Sequence, residues 1–244
     1  MRRFSRRLIL CGVCAGLAMA ASPVMAMPEL NTGALYDYLA PTRSTFTKRV
    51  RNLGNETAFV RVEVAEITYN AKGDSVEQVL EGTDRPLIAS PGRLIVPAEG
   101  SRDIRLVYRG ARTTERYFRL RFVPVVPSKD DTFGLGNEER AQYLNAIEAQ
   151  VGVLKAIGGV VLVGPSPARF DTRLQQREGE VRVTNQGNTT VRLEDFSTYR
   201  AETGCGQGRT VHVRPGQTFT ETAAPSQRFC FTLVEGSQRT RHQR

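Results

Sequence analysis

The chain has 244 residues, 40% of them hydrophobic, 24% charged and 7% aromatic, with no Trp. That balance suits one or two globular domains and excludes wholesale disorder and a polytopic membrane protein. The formal charge of +9 falls to +5 once the four arginines of residues 1–26 are set aside, and to +2 without the three arginines of the tail Gly236–Arg244. The basicity therefore sits at the chain ends, not on the folded face that a nucleic-acid binder needs.

Arg2, Arg3, Arg6 and Arg7 precede a 13-residue apolar run, Leu8–Ala20, and Val24-Met25-Ala26 follows with small residues at the −3 and −1 positions. This predicts an export signal over residues 1–26, cleaved after Ala26. The run is shorter than the ~20 residues of a membrane span, so no stable insertion is expected after cleavage. Cys11 and Cys14 leave with the signal. Cys205 and Cys230 remain, and in an oxidising compartment two cysteines most simply form one disulfide.

Alternation of period two begins at Ala58–Ile67, where Val60, Val62 and Val64 alternate with Arg61 and Glu63. Arg93–Val96 is a short strand stopped by Pro97-Ala98-Glu99-Gly100. Ile104, Leu106 and Tyr108 then alternate with polar residues, as do Phe118, Leu120 and Phe122. Strands at this spacing, separated by turn residues, predict an antiparallel sandwich. Two readings compete for the next segment. Asn137–Ala156 reads as a helix capped by Asn137, with Ala141, Leu144, Ile147, Val151 and Leu154 on one face and Gly158-Gly159 ending it. The rival is a loop running into a long strand, Val151–Val163; pattern alone favours the helix at the start and a strand for Gly159–Val163. After Pro165-Ser166-Pro167 come Glu180–Thr184, Thr190–Leu193, Thr210–Val213 and Phe229–Val234, a second strand set. The expected domains are 27–165 and 166–235. Residues 236–244 hold no apolar side chain and are expected to be a disordered basic tail.

No catalytic constellation emerges. His212 alternates with Val211 and Val213 and is expected to face solvent, while His242 lies in the tail. Gly204–Gly208 does not open a helix, as a phosphate loop would. No catalytic residue, metal or cofactor is expected.

Ala89–Leu106 (ASPGRLIVPAEGSRDIRL) resembles a stretch in the first domain of the PapD-like periplasmic pilus chaperones. Glu115–Pro124 (ERYFRLRFVP) is similar to the strand that follows it there. Phe46–Ile67, with its Asn-x-Gly-Asn turn, Gly159–Pro165, and Gly179–Val191, with a second Asn-x-Gly-Asn, extend the likeness in order. It is strongest to the alternative branch that serves common-pilus and colonisation-factor fimbriae.

The resemblance implies an all-β chain of two immunoglobulin-like sandwiches in a boomerang. It implies a periplasmic chaperone that binds pilus subunits by donor-strand complementation and delivers them to an outer-membrane usher. The donated strand would precede Pro165. Val151, Val153 and Ile157 share one parity, Ala149 extends the row, and Lys155 interrupts it; the competing reading makes them core residues of a helix. The family anchors the subunit's terminal carboxylate with two basic residues. Gly158–Leu162 holds no base, so Arg43 and Lys155 are the nearest candidates. A pilus subunit or adhesin is the alternative, against which stand two strand sets and a Pro-rich hinge.

Overall fold

The computed structural model describes residues 27–70, 72–82, 85–128, 133–148, 155–200, 204–225 and 227–243. The expected export signal lies outside them. The first half forms β1 (Leu30–Asn31), β2 (Tyr36–Leu39), β3 (Thr45–Asn52), β4 (Ala58–Tyr69), β5 (Ser75–Val79), β6 (Leu87–Ser90), β7 (Arg93–Val96), β8 (Ser101–Tyr108), β9 (Arg116–Pro124) and β10 (Ile157–Val163), with one helix, α1 (Asn137–Glu148), before β10; the alternating runs are β4, β8 and β9. One sheet runs β1-β3-β8-β6; the other runs β2-β10-β9-β4-β5, with β7 also on β4. Their facing sides enclose Val50, Val60, Ile104, Leu106, Phe118, Leu120, Phe122 and Val161. Val60, Ile104, Leu106, Phe118, Leu120 and Phe122 are the inward members of the alternating runs, as period two requires.

The second half makes a smaller sandwich from β11 (Thr172–Arg177), β12 (Glu180–Asn185), β13 (Val191–Arg200), β14 (Gly204–Cys205), β15 (Arg209–Val213), β16 (Thr218–Thr222), β17 (Arg228–Glu235) and β18 (Gln238–Gln243). Sheet β11-β12-β16 faces sheet β14-β13-β17-β18, with β15 also on β13. Val181, Val183, Leu193, Phe196, Phe229 and Phe231 form its separate core. At Asp195, φ is 55° and the register of β13 slips by a bulge, so Phe196 points inward although Leu193 has the opposite parity.

The two Asn-x-Gly-Asn motifs have the same structural role. Buried Asn52 accepts from the backbone N–H of Glu29 and Gly54 and donates to the carbonyls of Glu56, Val96 and Pro97. Asn185 accepts from Gly187 N–H and donates to the carbonyls of Thr189 and Val213. A Cβ on Gly54 would lie 1.9 Å from the Met27 carbonyl oxygen, and one on Gly187 2.4 Å from that of Arg169. Each glycine lets the segment leading into its sandwich lie against the turn.

Three expectations need correction. The tail is ordered: β18 pairs antiparallel with β17 from Glu235↔Gln238 to Cys230↔Gln243. A ladder needs backbone groups rather than apolar side chains, Gly236 (φ 61°) supplies the left-handed turn residue, and His242 stacks on Phe231 at 5.0 Å. The helix is capped one residue early. Gly136 N–H donates to the Glu139 carboxylate, the reciprocal half of a capping box, and Tyr143 rather than Ala141 is the buried contact, edge-on to Phe59 at 4.9 Å. Gly158 and Gly159 do not end a helix; they lie in β10.

Cys205 and Cys230 are bonded and join β14 to β17, the strands on either side of β13. The closed loop spans a sequence separation of 25 and restricts the unfolded chain by about 3 kcal/mol. Cys230→Ser is expected to destabilise the second sandwich by about 2–5 kcal/mol in urea unfolding. A variant as stable as the parent would show that the small core suffices.

Candidate functional site

Strand β10 lies between two partners of different length. Antiparallel β9 follows it from Ile157↔Phe122 to Val163↔Arg116. Parallel β2 covers the other edge only from Val160↔Tyr36 to Val163↔Leu39, with one further bond from Val160 N–H to the Leu35 carbonyl. Upstream, Ile157 and Gly158 pair with β9 alone among the described residues. The two glycines make this squeeze possible. A Cβ on Gly158 would stand 2.0 Å from the Leu120 carbonyl oxygen, and one on Gly159 2.5 Å from that of Leu35. No other residue type fits there.

Downstream the strand is buried on both faces. Val161 and Val163 belong to the first core, while Val160 and Leu162 pack with Ile67 and Tyr117 on the opposite side. β2 is pinned by Lys48, whose side chain is only 4% exposed. Its ammonium donates to the Ala34 carbonyl and, at 2.7 Å, to the Asp37 carboxylate. At the upstream end a cavity of about 640 Å³ opens between Met27, Leu30, Leu53, Lys155 and Ile157.

Of the expected donor row, Ala149, Val151 and Val153 lie outside the described residues. Ile157 packs partly buried against the first core. Arg43 and Lys155 are not brought together. Lys155 precedes the start of β10. Arg43 follows β2, beside the hinge, where Arg112 donates to both its carbonyl and that of Gly164. The seven residues of β10 separate the two ends, about 23 Å at 3.3 Å per residue, so no single carboxylate spans them. The resemblance nominated the pair as the nearest bases to the family's anchor positions; register separates it.

The contact between the sandwiches was not legible in the sequence. Glu115, just ahead of β9, accepts from the Thr190 N–H and hydroxyl and from the Tyr117 hydroxyl. Burial holds its carboxyl above the usual range despite those donors. On β15, His212 does not face solvent. It stacks on Tyr36 at 3.9 Å and shares a hydrogen bond with the Tyr38 hydroxyl, while Arg192 lies 4.2 Å over the Tyr38 ring and 3.2 Å from Glu194. Two β2 tyrosines thus grip the second sandwich. Burial first, and then the Arg192 charge, depress the His212 pKa to about 4.

No family model matches the chain. It is 25% identical over 228 residues, 91% of this chain and 93% of the relative, to a probable fimbrial chaperone EcpB of Klebsiella pneumoniae strain 342. The chain is a homologue of the fimbrial chaperones. The class 5 fimbriae chaperone CfaA shares the fold with a TM-score of 0.54 at 16% identity, over 88% of this chain and 98% of that one. A chain in the complex of the Salmonella enterica SafA pilin with the SafB chaperone aligns at 0.50 and 13%, over 88% and 96%. Like those fimbrial chaperones, this chain is built from two immunoglobulin-like sandwiches.

The interdomain grip of this fimbrial-chaperone homologue should respond to pH. Unfolded, His212 takes a proton near pH 6.5; folded, it resists down to about pH 4. Its contribution is complete above pH 6.5 and is lost as pH falls through that window, by about 1–2 kcal/mol after solvent screening. His212→Asn should flatten the acid side of the stability profile between those values. An unchanged slope would assign the loss to other groups.

Among the described residues, no helix is long and apolar enough to cross a membrane, and no group of three or more His, Cys, Asp and Glu is placed to hold a metal.

Proposed function

We propose that this protein is a periplasmic chaperone that binds pilus subunits by donor-strand complementation and delivers them to an outer-membrane usher, without enzymatic chemistry. The supporting observation is the edge of β10. It is covered by Leu35 and β2 from Gly159 onward and paired on one side only at Ile157 and Gly158. An uncovered edge offers backbone N–H and C=O groups to an incoming strand, and alternate side chains fill that strand's groove. Residues 149–157 supply such a row in Ala149, Val151, Val153 and Ile157. A subunit missing one strand of its own sandwich exposes both groove and edges, and covering them prevents aggregation. The sequence likeness to EcpB extends along the chain, and SafB supplies a fold relative solved with a pilin.

The boundaries belong to the same proposal: a signal over 1–26, the chaperone domain with its donor strand over 27–165, and a second domain from 166. Co-expression with candidate pilins should yield a 1:1 complex from the periplasm, with the chaperone's N-terminus at Met27. A pilin that stays insoluble or polymerises equally with and without this chain would end the chaperone reading. A full-length cytoplasmic product would end the periplasmic one.

A further inference from the structure

In the second sandwich, β11 and β18 are both edge strands of their sheets, and both line one open mouth of about 1300 Å³. In a closed sandwich such a mouth is filled by apolar side chains. Here Leu174 and Gln176 come from β11 and Thr240 and His242 from β18. The rim is basic: Arg177, Arg228 and Arg241 line it against a single acid, Glu178. On β18, Arg239 and Arg241 alternate with Thr240 and His242, and the strand's outer edge has no partner strand among the described residues.

We infer that this mouth docks an extended acidic peptide, added to β18 as a further strand. Three features carry the inference. The free edge of β18 presents six residues of backbone, about 20 Å, enough for a six-residue strand. Arg241, together with Arg239 beside its own ion pair to Glu194, matches alternate acidic residues on that strand, leaving the intervening small side chains to enter the mouth. A second copy of this chain is the wrong partner. Two-fold antiparallel pairing of β18 with β18 would set Arg239 of each copy opposite Arg241 of the other, and like charges directly opposite destabilise a pair. Arginine on an edge strand also deters such self-pairing, which leaves the edge open to an oppositely charged strand. This surface is remote in sequence from β10 and does not depend on the subunit-binding proposal.

The probe is a fluorescein-labelled (Glu-Val)4 peptide, with (Lys-Val)4 as control, titrated against the purified protein by anisotropy. Expected are binding of the acidic peptide alone, weakening as salt rises, and slowed amide exchange over residues 238–243. The double variant Arg177→Glu/Arg241→Glu should lower affinity at least tenfold, because like charges then face the peptide. Its melting curve should be unchanged, since both side chains are exposed. Equal binding of both peptides, equal binding by the double variant, or binding without protection of β18 would each overturn the inference. So would dimerisation through β18 in place of peptide binding. Pilin recovery by the same variant should be unaffected, which separates this site from the one on β10.

Discussion

Val151→Asp and Val153→Asp are expected to abolish recovery of the pilin while leaving the melting of the free chaperone unchanged. Side chains that fill a subunit groove become buried only in the complex. Truncation of one branched side chain to Ala should cost about 1.5–3 kcal/mol of binding at roughly 25 cal/mol per Å² of apolar surface. That is about 10- to 150-fold in affinity. A carboxylate costs more, because it enters an apolar groove without a partner. Ala at Gln150 and Leu154, of the other parity, should be nearly silent. Helical spacing would instead group Val151 with Leu154. The paired measurement is thermal stability of each free variant and pilin recovery in a pull-down. Asp variants that unfold the free protein would make these residues core, and folded variants that keep the pilin would move the donated strand elsewhere.

Asp37→Ala is expected to destabilise the first sandwich by about 3 kcal/mol, toward the low end for breaking a buried ion pair because Asp37 is 21% exposed. The loss is less that of an attraction than of a counter-charge: the Lys48 ammonium keeps the Ala34 carbonyl as its remaining hydrogen-bond acceptor. Adding Lys48→Met should return most of the stability, since an apolar side chain of similar length suits a core-facing position of β3. Urea unfolding of the single and double variants reads the difference. A single variant within 0.5 kcal/mol of the parent, on the order of an ordinary surface change, would show that β2 is held without the pair.

The inward rows of β4, β8 and β9 were legible because one buried face forces period two, and the buried residues are those that alternation selects; β17, buried on both faces, showed as a strand but not as a row. The disulfide was legible from cysteine count and compartment. The tail was misread because strand pairing satisfies backbone groups and leaves Arg239 and Arg241 in water, so composition carries no sign of it. The site was half legible. Glycines 158 and 159 looked like a helix stop, since a one-dimensional pattern does not show a carbonyl 2.0 Å from where a Cβ would be. Arg43 and Lys155 were paired as the bases nearest the family's anchor positions, although parallel β2 carries them to opposite ends of β10. His212 alternates like a solvent-facing residue, and only the second sandwich's approach to Tyr36 and Tyr38 makes it an interface residue.

β2 also acts as a ruler. It occupies one edge of β10 from Gly159 to Val163, and a subunit strand added to that edge meets the Leu35 end of β2 in line. On the proposed donor-strand reading, the strand offered to a subunit stops at Gly158 however long its groove. Shortening β2 from its Leu35 end would lengthen the offered strand two residues for each groove position gained, while exposing Val160 and Leu162. On that reading the reach is fixed by a neighbouring strand rather than by the donor segment, and the Lys48–Asp37 pair that pins this neighbour sets the end point of the scale.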